Sequence, residues 1–277
     1  MSIIWAMLST LAIGSGEFFA GSVTDRARSH EVSAAMFTSG FALTVLISSA
    51  WTGEPTTSDL VFGCLAGLAN GVGILLLYWS YAEASVRSAA PVAAVVMSSI
   101  PVGWDVIITG TSPSMITALG LALGVAAIGV SSYEPGDDPI ELRGLQVAVL
   151  AGAVFGILLV LLSFIGREAG GTPLVAQRGV GLLVTVAVAR LTGPRIFPGH
   201  RADLRMALFV GVLATTAVVL FALALVDGSL SVVSVVASQY AAVAVMLGVI
   251  FRGQRMWWWQ AVGLVAASVS VVLITLG

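Results

Sequence analysis

Three ionisable side chains lie inside long apolar runs of this 277-residue chain: Glu17, Asp105 and Arg178. A charge deep in hydrocarbon costs about 2.5–3.5 kcal/mol on insertion scales, so such residues are first suspects for binding a solute, moving a proton or pairing with one another. Thr10, Gly14, Glu17 and Gly21 fall on one helical face, a small and polar stripe suited to a cavity wall. The plainer alternative puts Glu17 near the membrane interface, paired with Arg26 or Arg28. Asp105 closes one run and Arg178 opens another. Counting crossings sets both at similar depth on one side, where they could pair. Alternatively, Arg178 snorkels to the interface and Asp105 serves a structural ion pair. Glu17 is nearer the opposite face, so a Glu17–Arg178 pair is not expected.

Uncharged polar groups extend the set. Asn70, Tyr78 and Tyr81 share one helical face. Ser231, Ser234 and Ser238 share another, with Gln239 and Tyr240 beside it. Ser98, Ser99 and Gln177 are also intramembrane. Buried amides and hydroxyls bind solutes, and they equally glue helices together. Enzyme chemistry finds no such set. His30 and His200 belong to no HExxH pattern, there is no phosphate-binding Gly-rich loop, and one cysteine, Cys64, makes no disulfide framework. The expectation is a protein that is not an enzyme and uses no cofactor, metal or nucleic acid.

These residues need a membrane to sit in. The chain is 58% hydrophobic and 9% charged, against about 25% charge in a soluble domain. Ten apolar segments, each near the length a helix needs to cross a bilayer, run at 2–21, 32–51, 60–82, 89–109, 114–132, 144–165, 174–191, 205–226, 230–251 and 257–276. They are spans 1 to 10. Span 1 lacks the basic start and cleavage site of a signal peptide. Glycine pairs mark close helix packing: Gly63, Gly67 and Gly71 on span 3, Gly120 and Gly124 on span 5, Gly152 and Gly156 on span 6. Pro91 and Pro101 should bend span 4.

The chain also repeats itself. Displaced by 143 residues without a gap, Ser88–Leu121 lies over Ser231–Leu264, with Gly110 on Gly253 and Gly120 on Gly263. The acidic linker Tyr133–Arg143 separates residues 1–132 from 144–277, five spans each. Five is odd, so the halves enter the membrane from opposite sides. The fold class is therefore all-α integral membrane, ten helices as two inverted five-helix repeats. Breaks after odd-numbered spans hold Arg26, Arg28, Arg87, Arg143, Arg190, Arg195, Arg201, Arg205, Arg252 and Arg255, while the others hold only Arg167. The positive-inside rule then puts both termini outside. Trp5, Trp51 and Trp104 mark one interface, and Trp79 with Trp257–Trp259 the other.

This architecture resembles the drug/metabolite transporter superfamily, EamA type. The likeness is greatest at Ser88-Ala89-Ala90-Pro91-Val92-Ala93-Ala94-Val95-Val96, similar to the family's span-4 start, and at its counterpart Ser231–Ala237. The family's Gly-Glu-Arg breaks here read Gly110-Thr111-Ser112 and Gly253-Gln254-Arg255, so the acidic residue is missing twice. The resemblance implies a multi-pass protein of the inner (cytoplasmic) membrane that exports small metabolites, such as amino acids, or drug-like compounds. It implies a central cavity lined by spans 3, 4, 8 and 9 among others, with Asn70, Tyr78, Ser98, Gln239 and Tyr240 near the solute, and proton coupling through Glu17. It also implies cytoplasmic termini, the reverse of the arginine count. The expected solute pathway is Glu17, Asn70, Tyr78, Ser98, Asp105, Gln177, Arg178, Ser238, Gln239 and Tyr240, in a protein able to act as a monomer. The rival expectation is a non-transporting protein of lipid handling or complex assembly.

Overall fold

The computed structural model describes residues 1–110, 114–132, 142–252 and 257–276. The linker at 133–141, Thr111-Ser112 and Gly253-Gln254-Arg255 lie outside the described residues, as do the side chains of Arg87, Ser88 and Pro91. The described elements are helical: α1 (Ser2–Thr24), α2 (Ser29–Ala50), α3 (Thr57–Trp104), α4 (Met115–Ser132), α5 (Leu142–Ser163), α6 (Thr172–Thr192), α7 (Arg201–Leu225), α8 (Leu230–Ser238), α9 (Tyr240–Arg252) and α10 (Trp258–Leu276). Among the described residues seven helical stretches are long and apolar enough to cross a membrane, and Val92–Ile108 and Met115–Ala127 are shorter apolar helices.

Two expected spans are joined differently from the sequence reading. Spans 3 and 4 form α3, 48 residues of unbroken helix where a break was expected. That helix nevertheless turns back on itself. Phe62 stacks on Phe164 at 4.8 Å, and Trp104 meets the same ring edge-on at 5.7 Å. In a straight helix Phe62 and Trp104 would lie ~60 Å apart. The reversal falls between the apolar stretches Thr57–Ala84 and Val92–Ile108. Pro91, which has no N–H to give the helix, lies there. The second arm ends in a π-helical turn, Asp105–Thr109, closed by Gly110 at φ +66°. Span 9 departs the other way, being broken at Gln239 into α8 and α9.

Packing follows membrane logic. Leu46, Leu68, Leu150, Leu183 and Ile250 point outward, while Ala20, Ala66, Ala93, Ala148, Ala151 and Ala207 are fully buried. Lipid is as apolar as leucine, so helices associate through close backbone approach at small residues. The glycine faces do this. Gly63, Gly67 and Gly71 seat α3 on α6 at Pro173, Gln177 and Gly181, and Gly152 and Gly156 seat α5 on the second arm of α3 at Ala93 and Ile100. Ser270 Oγ donates to the Gly120 carbonyl at 2.6 Å, tying α10 to α4.

Contacts sort the described connections onto two ends. At one end the α2–α3 and α5–α6 connections meet: Glu54 N–H donates to Glu168 O at 2.8 Å and Gly171 N–H to Trp51 O at 2.9 Å. Asp105 accepts from Ser231 there. At the opposite end Arg26 pairs with Asp203, and the Arg143 guanidinium lies 5.3 Å from the Trp79 ring.

Candidate functional site

A cavity of ≈ 100 Å³ lies among the helices. Ser9, Ile13, Gly16 and Glu17 of α1 form one wall, and Asn70, Ile74 and Leu77 of α3 a second. Arg178 of α6, Phe155 of α5, Phe221 of α7 and Tyr240 of α9 add its other charged and aromatic side chains. The rest is largely apolar. Among the described residues neither α4 nor α10 contributes to its lining. A second cavity of ≈ 220 Å³ lies towards the Trp51 end, against Gly166, Arg167 and Val226, and Leu162 lines both.

Glu17 is 8% exposed and accepts the Tyr81 hydroxyl at Oε2, 2.8 Å away. One turn earlier Tyr78 donates to Met36 Sδ at 3.3 Å, and the Tyr240 hydroxyl donates to the Ala90 carbonyl at 3.2 Å. Glu17 and Tyr240 thus line the cavity on the side away from Trp51, with Tyr81 bonded to Glu17 outside the lining. Pairing of Glu17 with Arg26 or Arg28 is overturned: Arg26 instead gives Nε and Nη2 to Asp203 Oδ1, at 3.1 and 2.9 Å.

Arg178 is 2% exposed. Its Nη2 donates to the Ala214 carbonyl at 2.6 Å, and its guanidinium carbon sits 5.5 Å from the Phe37 ring centre. It does not pair with Asp105, correcting that expectation. Asp105 Oδ2 accepts both the backbone N–H (2.8 Å) and the hydroxyl of Ser231. The reason is geometric: depth alone brought the two charges together, but α6 turns Arg178 inward while Asp105 lies at the start of α8.

Four of the ten expected pathway residues line the cavity: Glu17, Asn70, Arg178 and Tyr240. Tyr78 lies behind Met36. Ser98 and Ser238 donate to carbonyls of their own helix, Val95 and Val235, and line neither of these two cavities. Gln177 and Gln239 are buried with both amide ends unbonded, outside the cavity lining. The Thr10 stripe is also corrected. Thr10 donates to the Val236 carbonyl at 2.8 Å, and Gly14 leaves no room for a methyl beside Val243 and Tyr240 O. That face is the α1 contact with α8 and α9, and the cavity face is Ser9, Ile13, Gly16 and Glu17. Met36, Met97 and Phe155 were not singled out, because an apolar side chain in an apolar chain carries no distinguishing signal. Among the described residues no group of three His, Cys, Asp or Glu is close enough to hold a metal ion.

A partly open cavity between helices of both halves, lined by Glu17 and Arg178, suits solute passage. Comparison with known proteins agrees on the kind of protein. No curated protein matches the chain. A solved structure, titled only as a crystal structure of protein, superposes on 99% of this chain and 96% of its own with a TM-score of 0.76. Identity there is 15%, so the likeness is one of fold. Residues 142–276 match the EamA-like transporter family. That segment, just under half of the chain, is similar to the EamA-like transporters of the drug/metabolite transporter superfamily, and with the apolar helices it marks a multi-pass membrane protein.

Proposed function

We propose that this protein is a secondary transporter exporting small metabolites, such as amino acids or drug-like compounds, by alternating access at the cytoplasmic membrane. The observation that carries the reading is the central cavity, walled by helices from both halves and holding Glu17 and Arg178. Ten crossings as two inverted repeats fit the same facts. Displaced by 143 residues, Ser29 of α2 falls on Thr172, the start of α6, and Met115 of α4 falls on Trp258, the start of α10. α2 packs on α6, and α4 on α10, each against its own counterpart. Gly211 of α7 seats on Met36 of α2, much as Gly67 of α3 seats on Gln177 of α6. A two-fold axis in the membrane plane produces such self-pairings. Arginine bias then assigns the Arg26 end to the cytoplasm.

Counterflow in proteoliposomes tests the reading. Vesicles are loaded with unlabelled amino acids and small metabolites, and uptake of each labelled compound is followed at equal internal and external pH. The expected result is uptake of at least one compound above protein-free vesicles, lowered at least tenfold by Glu17→Gln. An imposed pH gradient that drives accumulation in the parent, but not in Glu17→Gln, supports proton coupling through Glu17. Wild-type uptake in Glu17→Gln removes Glu17 from the mechanism and leaves transport standing. No uptake of any compound by folded protein overturns transport and favours the lipid-handling or assembly role.

A further inference from the structure

Among the described residues no acid pairs with Arg178. Among the described residues the single ion pair is Arg26–Asp203. Glu17 lines the same cavity but is bonded to Tyr81, and Asp105 is bonded to Ser231 at the end of the bundle. Of the five N–H donors a guanidinium carries, Nη2 is bonded, to Ala214 O. Buried Nε has no partner. Phe37 covers one flank at 5.5 Å. A buried cation stripped of water and given one neutral carbonyl is incompletely satisfied, and an acid entering the cavity would complete it. The open edge of a guanidinium matches a carboxylate by two parallel hydrogen bonds, which an ammonium or a neutral solute cannot offer. Around it the wall is apolar, with Ile74, Leu77, Phe155, Val210 and Phe221. Such a surface suits one carboxylate on a compact hydrocarbon body.

We infer that Arg178 is the docking point for the carboxylate of the solute, so that the cargo is a small organic acid with an apolar body. The word cargo rests on the transporter reading; the docking of a carboxylate does not. Simple acids and amino acids share this chemistry.

The test separates binding from movement. Thermal unfolding of the full-length protein in detergent is measured with leucine, with 4-methyl-2-oxopentanoate and with 3-methylbutylamine, which share one hydrocarbon body. Counterflow is then measured with the same three compounds. The expected result is a rise in Tm with one or both carboxylates and none with the amine. Leucine alone identifies an amino-acid site, and the oxo acid alone a simple-acid site. Arg178→Met, checked for folding by its own melting transition, should lose the carboxylate effect with at least tenfold weaker binding. Arg178→Lys should keep the preference for acids at reduced affinity, and it decides the matter should Arg178→Met fail to fold. An amine shift equal to that of the acids, no shift with either acid, or an acid shift that survives in Arg178→Met overturns the inference. A Tm rise with acids but no counterflow leaves the docking point intact and sinks the transporter reading. Counterflow of the amine alone does the reverse.

Discussion

The two ends of the bundle use one residue position in two chemical ways. Asp59 and Asp203 each stand at the third position of a helix, α3 and α7, and each reaches the connection between two helices of the other half. Asp59 spends Oδ2 on its own helix start, accepting the Thr56 N–H at 2.8 Å and the Thr56 hydroxyl at 2.6 Å. Its Oδ1 accepts the Gly166 N–H at 2.6 Å. Asp203 grips the side chain of Arg26, which is 61% exposed. One bond is to backbone, buried and backed by neighbouring backbone bonds. The other is a charge pair at the surface. Backbone lacing at the Trp51 end is indifferent to salt and costly to undo, whereas an exposed ion pair is worth about 0–1 kcal/mol and is screened. Among the described residues, the tie at the Arg26 end is therefore the weaker one.

The largest effect should come from closing the glycine approach at the Trp51 end. Gly170 has φ +63°, and a side chain there would run into the backbone of Trp51 and Thr52. Gly170→Val should cost roughly 3 kcal/mol or more through strain and overlap, read as a lower melting temperature or loss of the monodisperse peak in size exclusion. The matching change at the other end, Gly193→Ala, meets only the tips of Arg28 and His30. It should cost less than about 1 kcal/mol, and an equal loss at the two sites would erase the contrast.

Asp59→Ala should follow, at about 2–3 kcal/mol, because it removes a helix cap and a charge-assisted bond together. Melting at low and high salt should show the same loss. Arg26→Ala should be the mildest, about 0.5 kcal/mol, and should vanish in ~1 M salt. A double-mutant cycle of Arg26→Ala with Asp203→Ala isolates that pair. A coupling energy above about 2 kcal/mol would mean that the Arg26 end is as firmly held as the other.

Much of the fold was legible in the chain because lipid imposes a length on every crossing. The helix starts at Ser29, Thr172 and Trp258 lie within a few residues of the apolar runs they were read from. The glycine faces of spans 3, 5 and 6 packed where small residues must. The turn inside α3 was not legible as helix: a reversal was read as a break, since sequence shows polarity and proline but not whether hydrogen bonds continue around the bend. Gln239 gave no warning of a mid-span break, because glutamine is an ordinary helix former. Of the site, Glu17 and Arg178 were visible as charges out of place. Their partners were not. Tyr81 reaches Glu17 across 64 positions of sequence, and Ala214 reaches Arg178 through a carbonyl every residue owns.

Composition and spacing alone determined that this chain lives in a bilayer and crosses it by helices, because hydrocarbon excludes free backbone polar groups and sets the length that hides them. Tertiary structure alone decided which face of each helix meets the cavity. It turned Ser9 and Ile13 inward and Thr10 and Gly14 onto α8 and α9, a difference of one residue and about 100° of helix rotation. It likewise left Arg178 beside an apolar hollow and Asp105 on a serine. Helix rotation and crossing are set by how small residues interlock across the whole bundle, and no local stretch of sequence contains that information.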